Sequence, residues 1–260
     1  MERIKTGIAE LDAMLKGGFM PGDAVLLTGS AGTGKTTLAL QYLVNGVTKF
    51  GDKGIYVTFE ELPDQIYRDA LNLGWDLRKL EDEDKLRIIC TSPNIMLETD
   101  EGDNILDQPI KEIQPRRIVI DALSHLEMFV PKEEIRSEVY RLVRHLKMKN
   151  LSSLLLWENP QILGQSFSVT DAGIGFLVDC IVVLKFVEIE SAMKKALMVL
   201  KMRGSDHDKH LREFQLTSEG VKMFAPFDGY ASILSGSPTK RIEDRFAEAF
   251  VGTQRREGKP

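Results

Sequence analysis

Short apolar runs alternate with stretches of helical spacing along the first part of the chain. The runs lie at residues 24–28, 55–59, 86–90, 118–120 and 151–157. Most are continuous rather than alternating between apolar and polar positions. Continuous runs of this length are typical of strands whose two faces are both covered, as in a parallel sheet.

The stretches between these runs have the spacing of amphipathic helices. The clearest is 133–149, in which Ile135, Val139, Leu142 and Leu146 repeat at intervals of three and four residues. Segments 37–47 and 64–73 carry apolar residues at similar intervals. Because strands and helices alternate, we expect an α/β fold with a mainly parallel central sheet, right-handed connections and helices on both faces.

The pattern changes in the last third of the chain. Strand-like runs at 180–190, 196–202 and 213–217 follow one another with no helical pattern between them, which predicts an antiparallel extension of the sheet. The acidic stretch 98–103 is expected to be a solvated loop. Residues 241–250 are expected to form a short charged helix before a frayed end at 252–260. We therefore expect a domain at 1–225 and a tail at 226–260.

Composition narrows the class of protein. The 260 residues are 43% hydrophobic and 28% charged, which suits one sizeable α/β domain. No apolar run approaches the ~20 residues of a membrane helix, and the N-terminus has no signal-peptide core, so we expect a cytoplasmic protein without a membrane partner. The net charge of −5 argues mildly against a broad nucleic-acid surface but leaves a local basic channel open. Cys90 and Cys180 lie in apolar runs and are expected to be buried thiols.

Between the first strand and its helix the chain reads GSAGTGKT, a glycine, four residues and then Gly-Lys-Thr. Glycines in this loop let the backbone turn tightly and aim its N–H groups at a polyphosphate, next to the positive end of the helix. Lys35 is expected to reach the β- and γ-phosphates, and the Thr36 hydroxyl to bind magnesium. A glycine-rich turn that binds nothing is disfavoured because strand, spacing, lysine, hydroxyl and helix all agree. The expected nucleotide contacts are Gly29, Ser30, Ala31, Gly32, Thr33, Gly34, Lys35, Thr36 and Thr37.

Three carboxylates follow two further strands. Asp121 ends the run 118–120 and could hold a magnesium-bound water, although such a residue is often only a helix cap. Glu60 and Glu61 follow the run 55–59, and one of them could orient an attacking water. Two solvated acids that open a loop are the alternative. We expect Glu60, Glu61 and Lys35 to be the catalytic residues, and Thr36 and Asp121 to serve the metal.

Taken together, several segments resemble the single-domain members of the KaiC-like branch of RecA-type ATPases, over residues 3–240. They are TGIAELDAMLKGGFMPGD, GSAGTGKT, the acid pair after Phe59, IVIDALS and KMRGSDHDK. The resemblance implies a RecA-like P-loop NTPase fold, with ATP and Mg²⁺ as the cofactors. It also implies that Glu60 is the principal base with Glu61 supporting it, and that Asp121 serves the magnesium site.

The resemblance gives a meaning to KMRGSDHDK, at 201–209, which the residues alone would suggest is an exposed basic hairpin turn. It implies that Lys201 and Arg203 reach the nucleotide of a neighbouring subunit, in the manner of arginine fingers. His207 and Lys209 match positions near the ribose, phosphates and base. The resemblance further implies a closed homo-oligomeric ring, and the ring of this family is a hexamer.

Other positions depart from the family pattern. Two-domain clock members phosphorylate themselves on adjacent Ser and Thr residues, where this chain has Gly175 and Phe176, so that cycle is disfavoured. Ser166, Ser168 and Thr170 leave another acceptor conceivable. Glu158 could sense the γ-phosphate or be a simple strand-end acid. His125 and His145 are expected to lie on a loop and a helix face, without a ligand role.

Three functions remain open at this point. The first is a slow ATPase ring that regulates a partner protein whose identity the sequence does not give. The second is a DNA-dependent motor or strand-exchange protein similar to RecA, which the negative net charge disfavours. The third is a nucleotide-gated scaffold with autokinase activity or with negligible hydrolysis.

Overall fold

A computed structural model describes residues 2–97, 104–159 and 173–227, together with 230, 231, 233, 239 and 240. Its main feature is a nine-stranded sheet with the strand order β3-β2-β4-β5-β1-β6-β7-β8-β9. The strands are β1 (Ala24–Gly29), β2 (Gly54–Thr58), β3 (Leu86–Cys90), β4 (Arg117–Asp121), β5 (Ser152–Glu158), β6 (Cys180–Ile189), β7 (Ala192–Met202), β8 (Arg212–Thr217) and β9 (Gly220–Pro226). A separate short pair joins β10 (Tyr230–Ala231) to β11 (Thr239–Lys240).

The first six strands are parallel and the last three are antiparallel additions. The α/β fold with a mainly parallel sheet and an antiparallel C-terminal extension is therefore confirmed. The sequence patterns did not predict β9. The acidic stretch 98–103 and the segment 241–260 lie outside the described residues, and the division of the chain at 225 remains a prediction.

Helices cover both faces of the sheet. They are α1 (Ala9–Met14), α2 (Lys35–Phe50), α3 (Pro63–Leu71), α4 (Leu77–Asp82), α5 (Pro93–Leu97), α6 (Asp107–Ile113) and α7 (Lys132–Met148), with 3-10 turns at Leu123–Met128 and Ile174–Phe176. Alternate strand residues point to opposite faces, so the core has two parts. One part packs under α2 and the other under α7. None of the helices in the described ranges has the length and apolar character that a bilayer crossing requires.

Cys90 is exposed, which corrects the prediction of two buried thiols; Cys180 is buried as expected. The reason is the place of β3 in the sheet. β3 is the edge strand and pairs only with β2, so its last residue lacks a neighbour on one side. An apolar run in the sequence does not reveal which strand will lie at the edge.

A buried ion pair lies at the start of β4. The Arg117 side chain is 1% exposed and pairs with Asp52 at 2.6 Å. It also donates to the backbone oxygens of Lys5 and Tyr42, and its guanidinium lies 4.6 Å from the centre of the Tyr42 ring. These contacts satisfy a charge that would be costly to bury alone, and they tie β4 to α2 and to the N-terminal segment.

The parallel strands place functional residues at the edge of the sheet that is formed by the carboxyl ends of the strands. Gly29, Asp121 and Glu158 end β1, β4 and β5, and Glu60 follows the end of β2 closely. The opposite edge holds the start of β6 at Cys180 and, because β7 is antiparallel, the end of β7 at Met202. The two edges are separated by the length of β1, about 17 Å at ~3.3 Å per residue.

Candidate functional site

The loop between β1 and α2 is shaped by its glycines. Gly32 and Gly34 have φ angles of +75° and +104°, in the left-handed region that other residues rarely adopt. A Cβ atom on Gly29 would lie 2.5 Å from the backbone oxygen of Leu184, on the neighbouring strand β6. The chain can therefore turn here only with glycine at these positions, and the turn leads directly into the N-terminus of α2.

Lys35 lies folded against this loop. Its Nζ donates to the backbone oxygens of Gly29 and Ser30 at 2.9 and 3.0 Å, and it is 3.6 Å from a carboxylate oxygen of Glu158. Burial lowers the pKa of Lys35, while the charges of Glu158 and Asp121 oppose that effect. A partly desolvated ammonium of this kind gains from an anion that enters the cleft, because the anion favours its charged form.

The loop borders a cleft of about 360 Å³. Its lining residues are Ala31, Gly32, Gly34, Lys35, Thr36, Thr37, Thr58, Glu60, Glu61, Asp121, Ala122, His125, Glu158 and Leu216. Gly29, Ser30 and Thr33, which were also predicted as contacts, are not among them. The Thr33 hydroxyl instead donates to the Ser30 oxygen at 2.8 Å and holds the loop in shape.

Asp121 faces the first turn of α2. Its Oδ2 accepts hydrogen bonds from the Thr36 hydroxyl at 2.7 Å and from the Tyr56 hydroxyl at 2.6 Å. Burial raises the pKa of Asp121, and these two hydrogen bonds and the charge of Lys35 oppose it. Tyr56 was not singled out from the sequence, where it reads as a core residue of β2.

The Thr36 and Asp121 oxygens fit a magnesium ion. Magnesium prefers oxygen ligands and usually takes only one or two from the protein, with phosphate oxygens and waters completing the octahedron. Within the described ranges no group of three or more His, Cys, Asp and Glu side chains is arranged to hold a metal. The arrangement therefore suits a cation that arrives with a polyphosphate better than a resident metal held by the protein alone.

Glu60 and Glu61 follow the end of β2 and line the cleft. The Glu61 N–H donates to the Thr58 hydroxyl at 3.1 Å, which fixes the backbone of the turn. Burial raises the pKa of Glu61, and the charges of Asp121, Asp69 and Glu60 raise it further. The Glu60 side chain is 75% exposed and reaches His125, with 3.2 Å between Oε2 and Nε2.

His125 is therefore brought to the cleft, although sequence reasoning gave it no role. It lies in the 3-10 turn after β4, and its Nδ1 is 3.1 Å from the Ala122 oxygen. Because the Glu60 carboxylate and the Ala122 oxygen are both acceptors, neutral His125 can donate to only one of them, according to which ring nitrogen carries the proton, and the imidazolium form can donate to both. The only signal in the sequence was its place four residues after Asp121.

The basic segment 201–209, which begins in the last two residues of β7, lies at the other edge of the sheet. The Lys201 Nζ donates to the backbone oxygens of Gly175 and Val178, and an Arg203 Nη donates to that of Phe176. Neither side chain lines the cleft. His207 and Lys209 are also absent from its lining, and both ring nitrogens of His207 are buried without a hydrogen-bond partner in the described residues.

Comparisons with known proteins agree with this geometry. The family model described as "ATPase: KaiC" matches residues 4–227. The circadian clock protein KaiC3 of Synechocystis sp. is 35% identical over 239 residues, which are 91% of this chain and 46% of that protein. The circadian clock oscillator protein KaiC of Nostoc sp. is 36% identical over 246 residues, 95% of this chain and 47% of that protein.

A third relative, the circadian clock oscillator protein KaiC of Parathermosynechococcus lividus, is 36% identical over 238 residues, or 92% of this chain and 43% of that protein. The chain thus spans about half the length of the curated relatives it matches. The family match covers the phosphate loop, the acids and both edges of the sheet. This chain therefore belongs to the KaiC ATPase family, as an ATP-binding, KaiC-like protein.

Proposed function

We propose that this protein is a slow magnesium-dependent ATPase that acts as a closed ring, a hexamer in the simplest case, with each active site shared by two adjacent subunits. We further propose that its nucleotide state regulates a partner protein. One observation carries the shared site: the phosphate loop and acids lie at one edge of the sheet, and Lys201 and Arg203 lie at the opposite edge. A head-to-tail contact would bring the two edges together, and such contacts close into a ring.

In this mechanism the loop N–H groups and Lys35 bind the β- and γ-phosphates. Magnesium, when bound, neutralises phosphate charge and orients the phosphoryl oxygens. Thr36 and Asp121 are the residues that would hold it, and Tyr56 keeps the Asp121 carboxylate aimed at the cleft. ATP then gives Lys35 anionic partners in place of the two loop oxygens it contacts here.

Glu60 and Glu61 orient the attacking water. As the water oxygen bonds to the γ-phosphorus, the bond from that phosphorus to the bridging oxygen of ADP breaks, and the water proton passes to the glutamate carboxylate. His125 holds the exposed Glu60 in place through the contact of 3.2 Å. Lys201 and Arg203 of the adjacent subunit supply positive charge where the γ-phosphoryl group separates. His207 and Lys209 contact the same nucleotide.

The curated relatives are named as clock proteins, and the proposal for this chain does not include self-phosphorylation. Gly175 and Phe176 lack the hydroxyl groups that such a reaction would need at these two positions. Ser166, Ser168 and Thr170 lie outside the described residues. ATP hydrolysis at a site shared by two subunits is the function that the geometry supports best.

The proposal is tested by combining two inactive chains in one ring. Glu60→Gln should lower turnover by at least ~100-fold with ATP binding kept, since a catalytic base contributes about that much. Arg203→Ala should lower turnover by ~1000-fold. Co-expressed and purified through two different tags, the two variants should recover activity, because about a quarter of the interfaces then join an intact acid to an intact cation.

The control for the acid is Glu112→Gln, which changes an exposed glutamate on α6 that contacts Gln108. It should turn over ATP at the wild-type rate. Equal turnover of wild type and Glu60→Gln would remove the assignment of the base. A mixed ring with no recovered activity would remove the shared site.

A further inference from the structure

The turn before β6 holds the two cations that the proposed function directs at a neighbouring subunit. Lys201 donates to the Gly175 and Val178 oxygens at 2.8 and 2.7 Å, and Arg203 donates to the Phe176 oxygen at 2.6 Å. Three backbone carbonyls within four residues thus accept hydrogen bonds from one pair of side chains. These bonds hold the charged ends of both cations against the turn.

Asp179 connects this turn to the strands on either side of it. Its backbone N–H donates to the Ala24 oxygen, and the Ala24 N–H donates back to its Oδ2 at 2.9 Å. Its backbone oxygen accepts from the Arg203 N–H at 2.8 Å. One residue therefore sets the start of β6 against β1 and also sets the exit of the chain from β7.

The Asp179 carboxylate adds a charge to this arrangement. It is only 7% exposed. The Lys147 Nζ on α7 lies 2.5 Å from its Oδ2, and an Arg203 Nη lies 3.6 Å from its Oδ1. Lys147 and the Ala24 N–H both contact Oδ2, which leaves Oδ1 to attract Arg203, whose side chain is 52% exposed. The guanidinium is thus held on one side and open to solvent on the other.

We infer that Asp179 is a positioning residue for the shared active site: with Lys147 and the 175–178 turn it fixes Arg203 and Lys201 at the angle from which they meet the nucleotide of the adjacent subunit. This rests on the proposed function. A displacement of about 1 Å at a catalytic group can cost ~100-fold in rate. The carboxylate itself contacts neither substrate nor metal in its own subunit, because it lies at the edge of the sheet away from the phosphate loop.

The test is Asp179→Asn, which keeps an oxygen for the Ala24 N–H and removes the charge that holds Lys147 and Arg203. We expect kcat to fall about 10-fold and the KM for ATP to change less than about twofold, since the acid side of the site is untouched. The matched control is Asp107→Asn. Asp107 is also buried, accepts the Asn104 N–H at 3.0 Å and pairs with Lys149 at 2.7 Å, a residue of the same chain segment as Lys147. The kcat of the Asp107→Asn variant should equal that of wild type.

Mixed rings identify the side of the site on which Asp179 acts. Co-assembly with Glu60→Gln chains should restore activity to Asp179→Asn, because those chains supply intact cations to its intact acids. Co-assembly with Arg203→Ala chains should restore none. A general loss of stability would not show this difference between the two mixtures. If Asp179→Asn does not fold, Asp179→Glu, which keeps the charge but moves it by one methylene, is used in the same mixtures with the same expectation.

The two proposals fail in different ways. If Glu60→Gln and Arg203→Ala do not complement each other, the shared site itself is wrong. If they do complement each other and Asp179→Asn has the wild-type kcat, or recovers equally with both partners, the positioning role of Asp179 is overturned while the shared site stands.

Discussion

Asp23 lies at the edge of the sheet where β1 begins, and its surroundings there shift its pKa. It precedes β1 beside Asp179, and its Oδ2 is buried without a hydrogen-bond partner in the described part of the chain. Burial raises the pKa of Asp23 to about 6, and the charge of Asp179 adds to the shift. The Met20 N–H and the charges of Lys147 and Arg3 oppose it. The folded protein therefore binds a proton here more tightly than the unfolded chain does.

This shift predicts a pH-dependent effect of Asp23→Asn. Because the folded pKa is raised, the contribution of Asp23 to stability is present below pH ~4 and is lost as the pH rises through about 6. The neutral asparagine should therefore stabilise the protein by about 1–2 kcal/mol above pH 6.5 and by only about 0.3 kcal/mol at pH 4. That range is roughly half the full value of the shift, because the carboxyl group is partly open to solvent.

The measurement is urea denaturation of both proteins at several pH values between 4 and 7.5. The exposed acid Asp64, changed to Asn, serves as the control and should give no pH-dependent difference of this size. A gain from Asp23→Asn that is the same at every pH would show that packing, and not ionisation, is responsible.

At the scale of elements, α2 joins the nucleotide site to the added strands. Its N-terminus follows Gly34, and halfway along it the Gln41 Oε1 accepts the buried Val221 N–H of β9 at 2.7 Å. Gly220 lies against this contact. It has a φ of +100°, and a Cβ atom there would lie 2.7 Å from the Gln41 oxygen and 2.8 Å from Trp75. The position of Gly220, the first residue of β9, is thus fixed by its close approach to α2.

Gly220→Ala should therefore cost more than backbone strain alone. The matched control is Gly51→Ala at the C-terminal end of α2, where φ is +70° and a Cβ atom would meet nothing within 4 Å. Both changes carry the left-handed penalty of about 1–2 kcal/mol. Only Gly220→Ala should add a packing cost of about 1–3 kcal/mol. Equal free energies of unfolding for the two variants would contradict the close packing of β9 on α2.

The same elements show how far a sequence can predict this fold. Helix α7 and the five parallel strands before β6 were predicted to within a few residues, because each combines a strong apolar pattern with a clear boundary. Strand β9 was missed since its burial is irregular, with exposed residues beside buried ones. Cys90 was misjudged because the position of β3 at the sheet edge depends on strand order, which local pattern does not contain.

The residues of the site likewise divide into those that the sequence predicted and those that it did not. The phosphate loop could be predicted because its chemistry is local, with glycines, lysine and threonine adjacent in sequence. The Glu60–His125 contact joins residues far apart in the chain, and so does the bond from Tyr56 to Asp121. Arg117 directly precedes the apolar run 118–120 in the sequence, yet it is among the most buried large side chains. Such contacts follow from the packing of whole elements, and the spacing of residues in the sequence does not predict them.

At the scale of the whole molecule, the proposed shared site makes ATP turnover depend on assembly, because the cations and the acids of one chain lie at opposite edges of the sheet. Lys201 and Arg203 are about 17 Å from the loop of their own subunit, measured along β1 at ~3.3 Å per residue. Their side chains contact the 175–178 turn and Asp179 beside them and do not line the cleft. In the proposed mechanism a single chain therefore binds ATP with Lys35 but lacks the two cations that the adjacent subunit adds at the departing phosphoryl group.

Dilution should consequently lower ATP turnover per chain. As the protein is diluted through the concentration at which rings separate, turnover per chain should fall at least ~100-fold, since a cation of this kind contributes a factor of ~1000 or more. Mass, measured by light scattering on the same samples, should fall over the same range of concentration, while single chains still bind ATP. Arg203→Ala should show little further loss on dilution, because its sites lack the cation even when assembled. Constant turnover per chain in samples that contain only single chains would show that one subunit is sufficient.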